Sequence, residues 1–400
     1  MTEDCETIMK IVHITLHYRD GWGYQDNLLP LYQQKAGNDV VVISDINHLP
    51  ERDRVSILAK GRKYYDGNLK IYRINCYGNT GNTSLFCSGL YKILKEEKPD
   101  LIFHHGVNSS TLVVSCVYKK RNRNTILFVD SHTDYINMSK NKIWRICYEK
   151  VWLSLVCKLI TLLVDKYYGV SILRREYLHQ TYRIPVNKTG FLPLGGDTDM
   201  VESIIGNRAF LRNEFSIPED DFVIVSGGKM GVSKGTISLI DAYIDIRKDN
   251  ANCTLVLFGE MDSTVEDAVK GKDGIISIGW CDRKKTISLL KISDVAVWPL
   301  LHTTLIEDAI ACGIPLIVKK SGNVAHYEKE ECGIFLKHGD ANEIKDALYK
   351  IRDTKYKENA QKASRKYSYH SIVKVINDDY ISYSSLSQQT LKETRQPYEE

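Results

Sequence analysis

The sequence predicts an α/β protein of two doubly wound, Rossmann-like domains facing each other across a cleft, and three observations carry that expectation. Short apolar runs of β type alternate with helical stretches from residue 11 onward. The alternation stops at Pro193-Leu194-Gly195-Gly196-Asp197 and then restarts. With 400 residues and 43% hydrophobic content, the chain can supply two cores at roughly 100–200 residues each.

The first strand is read at 11–16, followed by a helix around 27–35 and strands at 39–43, 69–74 and 101–104. A strand, helix, strand order needs a crossover, which makes the sheet parallel. Runs at 126–129 and 166–170 flank a long helical segment from about 142 to 163, and 189–192 closes the sheet. The first domain is therefore 1–192, with 193–197 as a hinge. In the second domain, 198–370, strands are expected at 222–225, 254–258, 275–278, 295–298 and 316–318, with helices at about 236–247, 284–291 and 305–312. Residues 371–400 are polar and read as a helix or tail returning to the first domain. No internal repeat or low-complexity block is present.

Composition excludes several classes. Fifty-four Lys+Arg against 50 Asp+Glu leave a net charge of only +4, too little for a nucleic-acid binder. Ten cysteines occur with no C-x-x-C pair, which argues against zinc or thioredoxin chemistry and for buried thiols in a reducing compartment. The polar, acidic N-terminus lacks a secretory layout, and the longest apolar run, 151–164, is broken by Ser154, Lys158 and Thr161. A cytoplasmic protein is expected.

The most informative stretch, 223–235, reads Val-Ile-Val-Ser-Gly-Gly-Lys-Met-Gly-Val-Ser-Lys-Gly. A buried strand emptying into Gly227 and Gly228 lets the chain turn sharply, and a helix starting near Gly235 presents unpaired N–H groups beside Lys229 and Lys234. That combination suits a diphosphate. Near the N-terminus the first strand runs into His17-Tyr18-Arg19-Asp20-Gly21-Trp22-Gly23, where Gly21 and Gly23 admit a close ligand. The third glycine of a dinucleotide fingerprint would fall at Asp26, which disfavours hydride chemistry. Between Trp298 and Pro315 the order is strand, loop, helix, glycine stop, strand. Thr304 and Glu307 have capping-box spacing, which gives Glu307 a structural task and leaves Asp308 freer to meet a ligand. Thr303, Thr304 and Leu305 then offer hydroxyls and amides at that helix start.

These motifs resemble the family 4 retaining glycosyltransferases, which have the GT-B fold. The resemblance rests on Gly228-Lys229 and Lys234-Gly235, on Pro193 to Asp197, on Gly279-Trp280 before a helix, and on Asp308-Ala-Ile-Ala-Cys-Gly-Ile-Pro315, in the family's order along nearly the whole chain. It implies a nucleotide-sugar donor, with Lys229 and Lys234 on the diphosphate, Asp308 on the ribose and the Gly279-Trp280 loop on the base. Gly21 and Gly23 would cover the donor from the opposite wall. Two departures stand out. The family's first acid is replaced by Leu300, so that either His302 with the Thr303-Thr304 loop substitutes for it or the donor sugar is read differently, and Lys229 replaces arginine, keeping charge without bidentate geometry.

The implied activity is metal-independent, retaining transfer of a hexose from a nucleotide-diphosphate sugar, UDP being the commonest in the family. The acceptor would be a saccharide or lipid-linked saccharide in bacterial surface polysaccharide synthesis. A nucleotide-sugar epimerase and a non-catalytic nucleotide-sugar-binding subunit are the alternatives, Leu300 favouring the latter. Asp197-Thr198-Asp199 forms a D-x-D string, but its place in the linker argues against metal. His132, in Asp130-Ser131-His132-Thr133-Asp134, follows a strand of the first domain and is a candidate acceptor-side proton handler. Lys140, Lys142, Trp144, Arg145, Tyr148, Lys150 and Trp152 mix base and aromatic rings as interfacial helices do, suggesting contact with the inner face of a membrane.

Overall fold

The computed structural model describes residues 8–78, 83–136 and 145–393, without the side chains of 145, 148–150 and 387–393. The chain divides after Pro193 and again after Ser371, so that one compact unit holds the described residues up to Pro193 and from Ile372 onward. The other is Leu194–Ser371.

The first unit carries β1 (Lys10–Thr15), β2 (Asp39–Asp45), β3 (Lys63–Asp66), β4 (Leu69–Tyr77), β5 (Phe86–Ser88), β6 (Leu101–His105), β7 (Ile126–Ser131), β8 (Lys166–Gly169) and β9 (Thr189–Phe191). Their order is β3-β4-β2-β1-β6-β7-β8-β9, with β5 pairing β4. All pairs from β4 through β2 and β1 to β9 are parallel, while β3 and β5 pair antiparallel with β4. Val40 to Ile43 are all buried, as expected for a parallel strand covered by helices on both faces. The β3–β4 hairpin was not legible as strand alternation; it turns at Gly67-Asn68, where Gly67 takes φ +58°.

The last helix, Tyr369–Glu393, reaches this unit. The Asp379 carboxylate accepts from Lys166 Nζ and from the Tyr168 hydroxyl, both at 2.6 Å, and Tyr383 meets Phe128 edge-on at 5.7 Å. Cysteines in the described residues are all free thiols, and burial pushes those of Cys116 and Cys157 up to about 12, so both are inert protonated core groups.

The second unit carries β10 (Phe222–Met230), β11 (Cys253–Met261), β12 (Ile275–Gly279), β13 (Val295–Trp298), β14 (Leu316–Lys319) and β15 (Gly333–Leu336). The order β12-β11-β10-β13-β14-β15, parallel throughout, is the doubly wound order with its reversal between β10 and β13. Ligands of open α/β sheets bind at the carboxyl ends of the strands at such a reversal. The 193–197 segment is tied to this unit from Gly195 onward. A Cβ at Gly195 would come 2.7 Å from the Tyr369 ring, and Gly196 exchanges backbone bonds with Tyr367 and Tyr369 at 2.7 and 3.1 Å.

Candidate functional site

At the carboxyl end of β10 the strand does not turn after Val225, as the sequence suggested, but runs on to Met230 in register with β11 up to Met261. The glycines serve close packing instead. A Cβ at Gly227 would lie 2.3 Å from the Phe258 ring, and one at Gly259 would lie 2.2 Å from the Gly228 carbonyl oxygen. Gly228 itself takes φ +97°. The indole N–H of Trp298 donates to the Gly227 carbonyl at 3.0 Å and pins the end of β13 to β10. Lys229 follows, exposed, with Glu260 as its register partner on β11.

The turn proper comes later, at Gly231 to Gly235. A single helical turn of 3-10 type, Val232–Lys234, leads to Gly235 at φ +80°, and the helix Thr236–Asp249 begins there with no side-chain cap. Thr236 spends its hydroxyl on the Gly231 amide at 3.2 Å and its own amide on the Gly231 carbonyl at 3.4 Å. Among the described residues the amides of Ile237 and Ser238 find no backbone acceptor outside the helix, so they open beside half-buried Lys234 as an anion site requires.

The loop after β13 is brought onto this turn. A Cβ at Gly235 would come 2.9 Å from Leu300 Cγ and one at Gly228 would come 3.4 Å from Leu305 Cδ1. Gly228, Gly235, Leu300 and Leu305 therefore share one corner. Leu300, standing where an acid was expected, is a packing residue: Gly339 also abuts it, with a would-be Cβ 2.9 Å from Leu300 Cδ2.

The helix Leu305–Ala311 corrects two expectations. Thr304 lies in the αR region and makes no cap bond; Thr303 accepts instead, from the Leu305 amide through Oγ1 at 3.4 Å and from the Ile306 amide through its carbonyl at 3.1 Å. Those two amides are consequently spoken for, which leaves little at this helix start for a phosphate. The acids also exchange roles. Asp308 is held by Arg283 through two bonds, at 3.0 and 3.2 Å, and Arg283 also donates to Asp197 at 3.1 Å. Burial works against the Arg283 charge, but Asp308 and then Asp197 outweigh it, so the guanidinium holds its proton more tightly than usual. Glu307 is the acid with capacity left: Oε1 accepts from His302 Nε2 at 3.2 Å, while buried Oε2 has no hydrogen-bond partner. Burial raises the Glu307 carboxyl, yet the charge and hydrogen bond of His302 more than offset it and keep Glu307 below the usual carboxylate range. His326, its ring tilted against that of Tyr327, is driven by burial down to about 4 despite the pull of Glu307.

Sequence reasoning missed Arg283, because nothing local ties a residue at the start of one helix to an acid 25 positions on. The only signal was Asp282, whose side chain caps the helix Arg283–Lys291 through the Lys285 amide at 2.7 Å and fixes Arg283 in its first turn. Asp197 and Asp199, the D-x-D string, are both occupied: Asp197 also caps the Met200 amide at 3.2 Å, and Asp199 pairs with His370 at 2.6 Å. Gly279, at φ +74°, ends β12 and leaves Trp280 three-quarters exposed, a flat aromatic face beside β11.

In the first unit, Gly21 takes φ +72° with open space around it, whereas Gly23 stays out of the left-handed region. Arg19 lies 4.0 Å over the Trp22 ring, and Arg73 donates to the Tyr18 carbonyl at 2.9 Å, so this turn is anchored. His132 lines a cavity of about 220 Å³ at the carboxyl ends of β1, β6 and β7, together with Thr15, His17, Asp26, His105 and Ser109. Behind it runs a buried chain: His105 donates through Nδ1 to Asp130 at 2.9 Å and through Nε2 to His13 Nδ1 at 3.1 Å, and His13 donates in turn to Gln33. Burial opposes charge on His105, but Asp130 and its hydrogen bond prevail and raise it; burial first, then the charge of His105, pushes His13 down to about 3. The buried chain is arranged for His105 to donate to both Asp130 and His13. His105, Asp130 and His132 also offer ligand atoms within 4.8 Å of one another, enough to gather a cation should His105 release its proton. The sequence signalled this group only as adjacent histidines at a strand end. Of the basic and aromatic patch, Lys140, Lys142 and Trp144 lie outside the described residues.

Residues 207–368 match the family model described as "Glycosyl transferases group 1", a span that covers most of the second unit. No curated protein sequence matches the chain significantly. Solved structures do resemble it over most of its length. A glycosyltransferase from Rickettsia africae is 15% identical with a TM-score of 0.66, covering 94% of this chain and 98% of its own. Anabaena HepE in complex with UDP is 16% identical with a TM-score of 0.64, covering 94% and 100%. UDP-GlcNAc 2-epimerase from Neisseria meningitidis, bound to UDP-GlcNAc, is 14% identical with a TM-score of 0.59, covering 94% and 100%. The likeness shows the fold, two Rossmann-like domains as in GT-B glycosyltransferases.

Proposed function

We propose that this chain is a retaining glycosyltransferase that moves a hexose from a UDP-sugar to a hydroxyl of a saccharide or lipid-linked saccharide acceptor in bacterial surface polysaccharide synthesis, working at the inner face of a membrane. One observation carries the reading. The residues matching group 1 glycosyl transferases are those that build, at the strand-order reversal of the second unit, the end of β10 with Lys229 and the following turn with Lys234, which leads into a helix whose first amides have no backbone acceptor outside it. Lys229 and Lys234 offset the charge that develops on the departing diphosphate. Exposed Trp280 stacks the base, a neighbour of the same fold having crystallised with UDP. Glu307, whose Oε2 is unpartnered, takes the hydroxyl-accepting role that Asp308 gives up to Arg283, and it orients His302 beside the loop that carries Leu300. His132, backed by Asp130, handles the acceptor proton. The chemistry as proposed uses no metal.

An epimerase is the rival, since the same fold serves one in Neisseria meningitidis. Incubation with a panel of labelled nucleotide sugars, with and without a lipid extract, separates the readings. Transfer requires both components; product formed from the donor alone would establish epimerisation, and turnover of neither would leave only a binding subunit.

A further inference from the structure

We infer that the outer face of the helical segment 145–163, together with the adjoining helix Ser110–Arg121, docks on an anionic phospholipid bilayer. The inference rests on the membrane location proposed above and not on the transfer chemistry. The segment begins as a π-helix, Arg145–Leu153, and continues as an α-helix, Ser154–Ile160, into a turn. Two apolar stripes of helical spacing run along it. Leu153, Cys157, Ile160 and Val164 are buried in the core of the first unit. Trp152, Leu155, Leu159 and Leu162, at the same spacing on the other side, are 57%, 54%, 77% and 86% exposed. A helix apolar on both sides belongs between two apolar phases, and among the described residues only one of them is present. Single exposed leucines need no explanation, but a stripe running from Trp152 to Leu162 does.

The stripe continues sideways. Trp152 and Val156 share a groove of about 270 Å³ with Val113, Leu85 and Phe86, of which Val113 and Leu85 are partly and Phe86 largely exposed. On the helix Ser110–Arg121, Val113, Val117 and Lys120 fall on one face at i, i+4 and i+7. Charge decides the occupant. Lys119 is paired with Asp165, and the two helical segments hold besides it Lys120, Arg121, Arg145, Lys150 and Lys158 against Glu149 alone, in a chain whose overall balance is nearly even. Two copies of such a face repel, whereas an anionic leaflet attracts it and accepts the leucines. No helix is long and apolar enough to cross a membrane among the described residues, so the contact is interfacial.

The test uses the full chain with vesicles of phosphatidylcholine plus phosphatidylglycerol and vesicles of phosphatidylcholine alone. The wild type should partition onto the anionic vesicles, and Leu159→Asp with Leu162→Asp should weaken that partitioning by at least about tenfold with melting temperature unchanged, because both side chains are exposed in the fold. Lipids brominated in mid-chain should quench wild-type fluorescence more than that of Trp152→Phe. Equal partitioning of wild type and double variant, or no partitioning of the wild type, overturns the inference. So does a concentration-dependent dimer that the same variant dissolves without any vesicle binding. Vesicle binding without sugar transfer would sink the transfer reading and leave this surface standing; transfer to a soluble acceptor without vesicle binding would do the reverse.

Discussion

Arg283→Met is the perturbation that most sharply tests how the second unit is held together. Arg283 bridges Asp308 at 3.0 and 3.2 Å and Asp197 at 3.1 Å, and the two carboxylate side chains are only 11% and 6% exposed. Methionine keeps the bulk and removes the charge, leaving two buried anions beside each other. Breaking a buried pair from one side costs about 3–5 kcal/mol, which in a domain of this size lowers the melting temperature by on the order of 10 °C. The pH dependence has a fixed sign. Burial already raises the Asp308 carboxyl against the pull of Arg283, and the variant removes that pull, so its folded form binds more protons above the unfolded value near 3.9 and stability rises as pH falls toward it. The loss should therefore shrink between pH 8 and pH 5, and Asp308→Asn in the Arg283→Met background should recover part of it. Calorimetry across that range is the assay. A variant melting within about 1 °C of wild type at pH 8 would refute the buried triad.

Three further outcomes follow from the geometry. His105→Gln takes the nearest cation from buried Asp130, leaving it the Gly106 amide and His132, and should cost about 3 kcal/mol by chemical denaturation. Since His105 is raised from 6.5, its contribution is complete below that value and disappears as pH rises through the folded-state pKa, so the gap between wild type and variant should narrow at alkaline pH. Glu307→Gln, which preserves shape while releasing His302, should weaken UDP-sugar binding about tenfold, measured by calorimetric titration, whereas Asp308→Asn should act through stability. Chelation with EDTA should leave transfer intact; a rate restored only by added divalent cation would point to the His105, Asp130 and His132 group.

Much of the architecture was legible because parallel strands buried on both faces write continuous apolar runs such as 40–43 and 295–298. The hairpin strand β3 and the short β5 were not, being edge elements whose pairing follows from tertiary context. Both acids of the helix Leu305–Ala311 were visible, but which one is free depends on Arg283 and His302, contacts that spacing does not encode. The same holds for Gly227: its presence suggested a turn, whereas its reason is the Phe258 ring. The exposed stripe from Trp152 to Leu162 was half seen, since an apolar run discloses hydrophobicity and not which side faces the core.

The central claim is that the lysine turn of the second unit grips the diphosphate of an activated sugar. Titration of UDP-sugar into wild type and Lys234→Ala measures it directly. Hydrogen bonds to a charged group contribute about 1.5–3 kcal/mol, so the account predicts a Kd raised roughly 10- to 100-fold with the melting temperature of the free protein unchanged. Equal affinity of the two proteins for the same nucleotide sugar would contradict it.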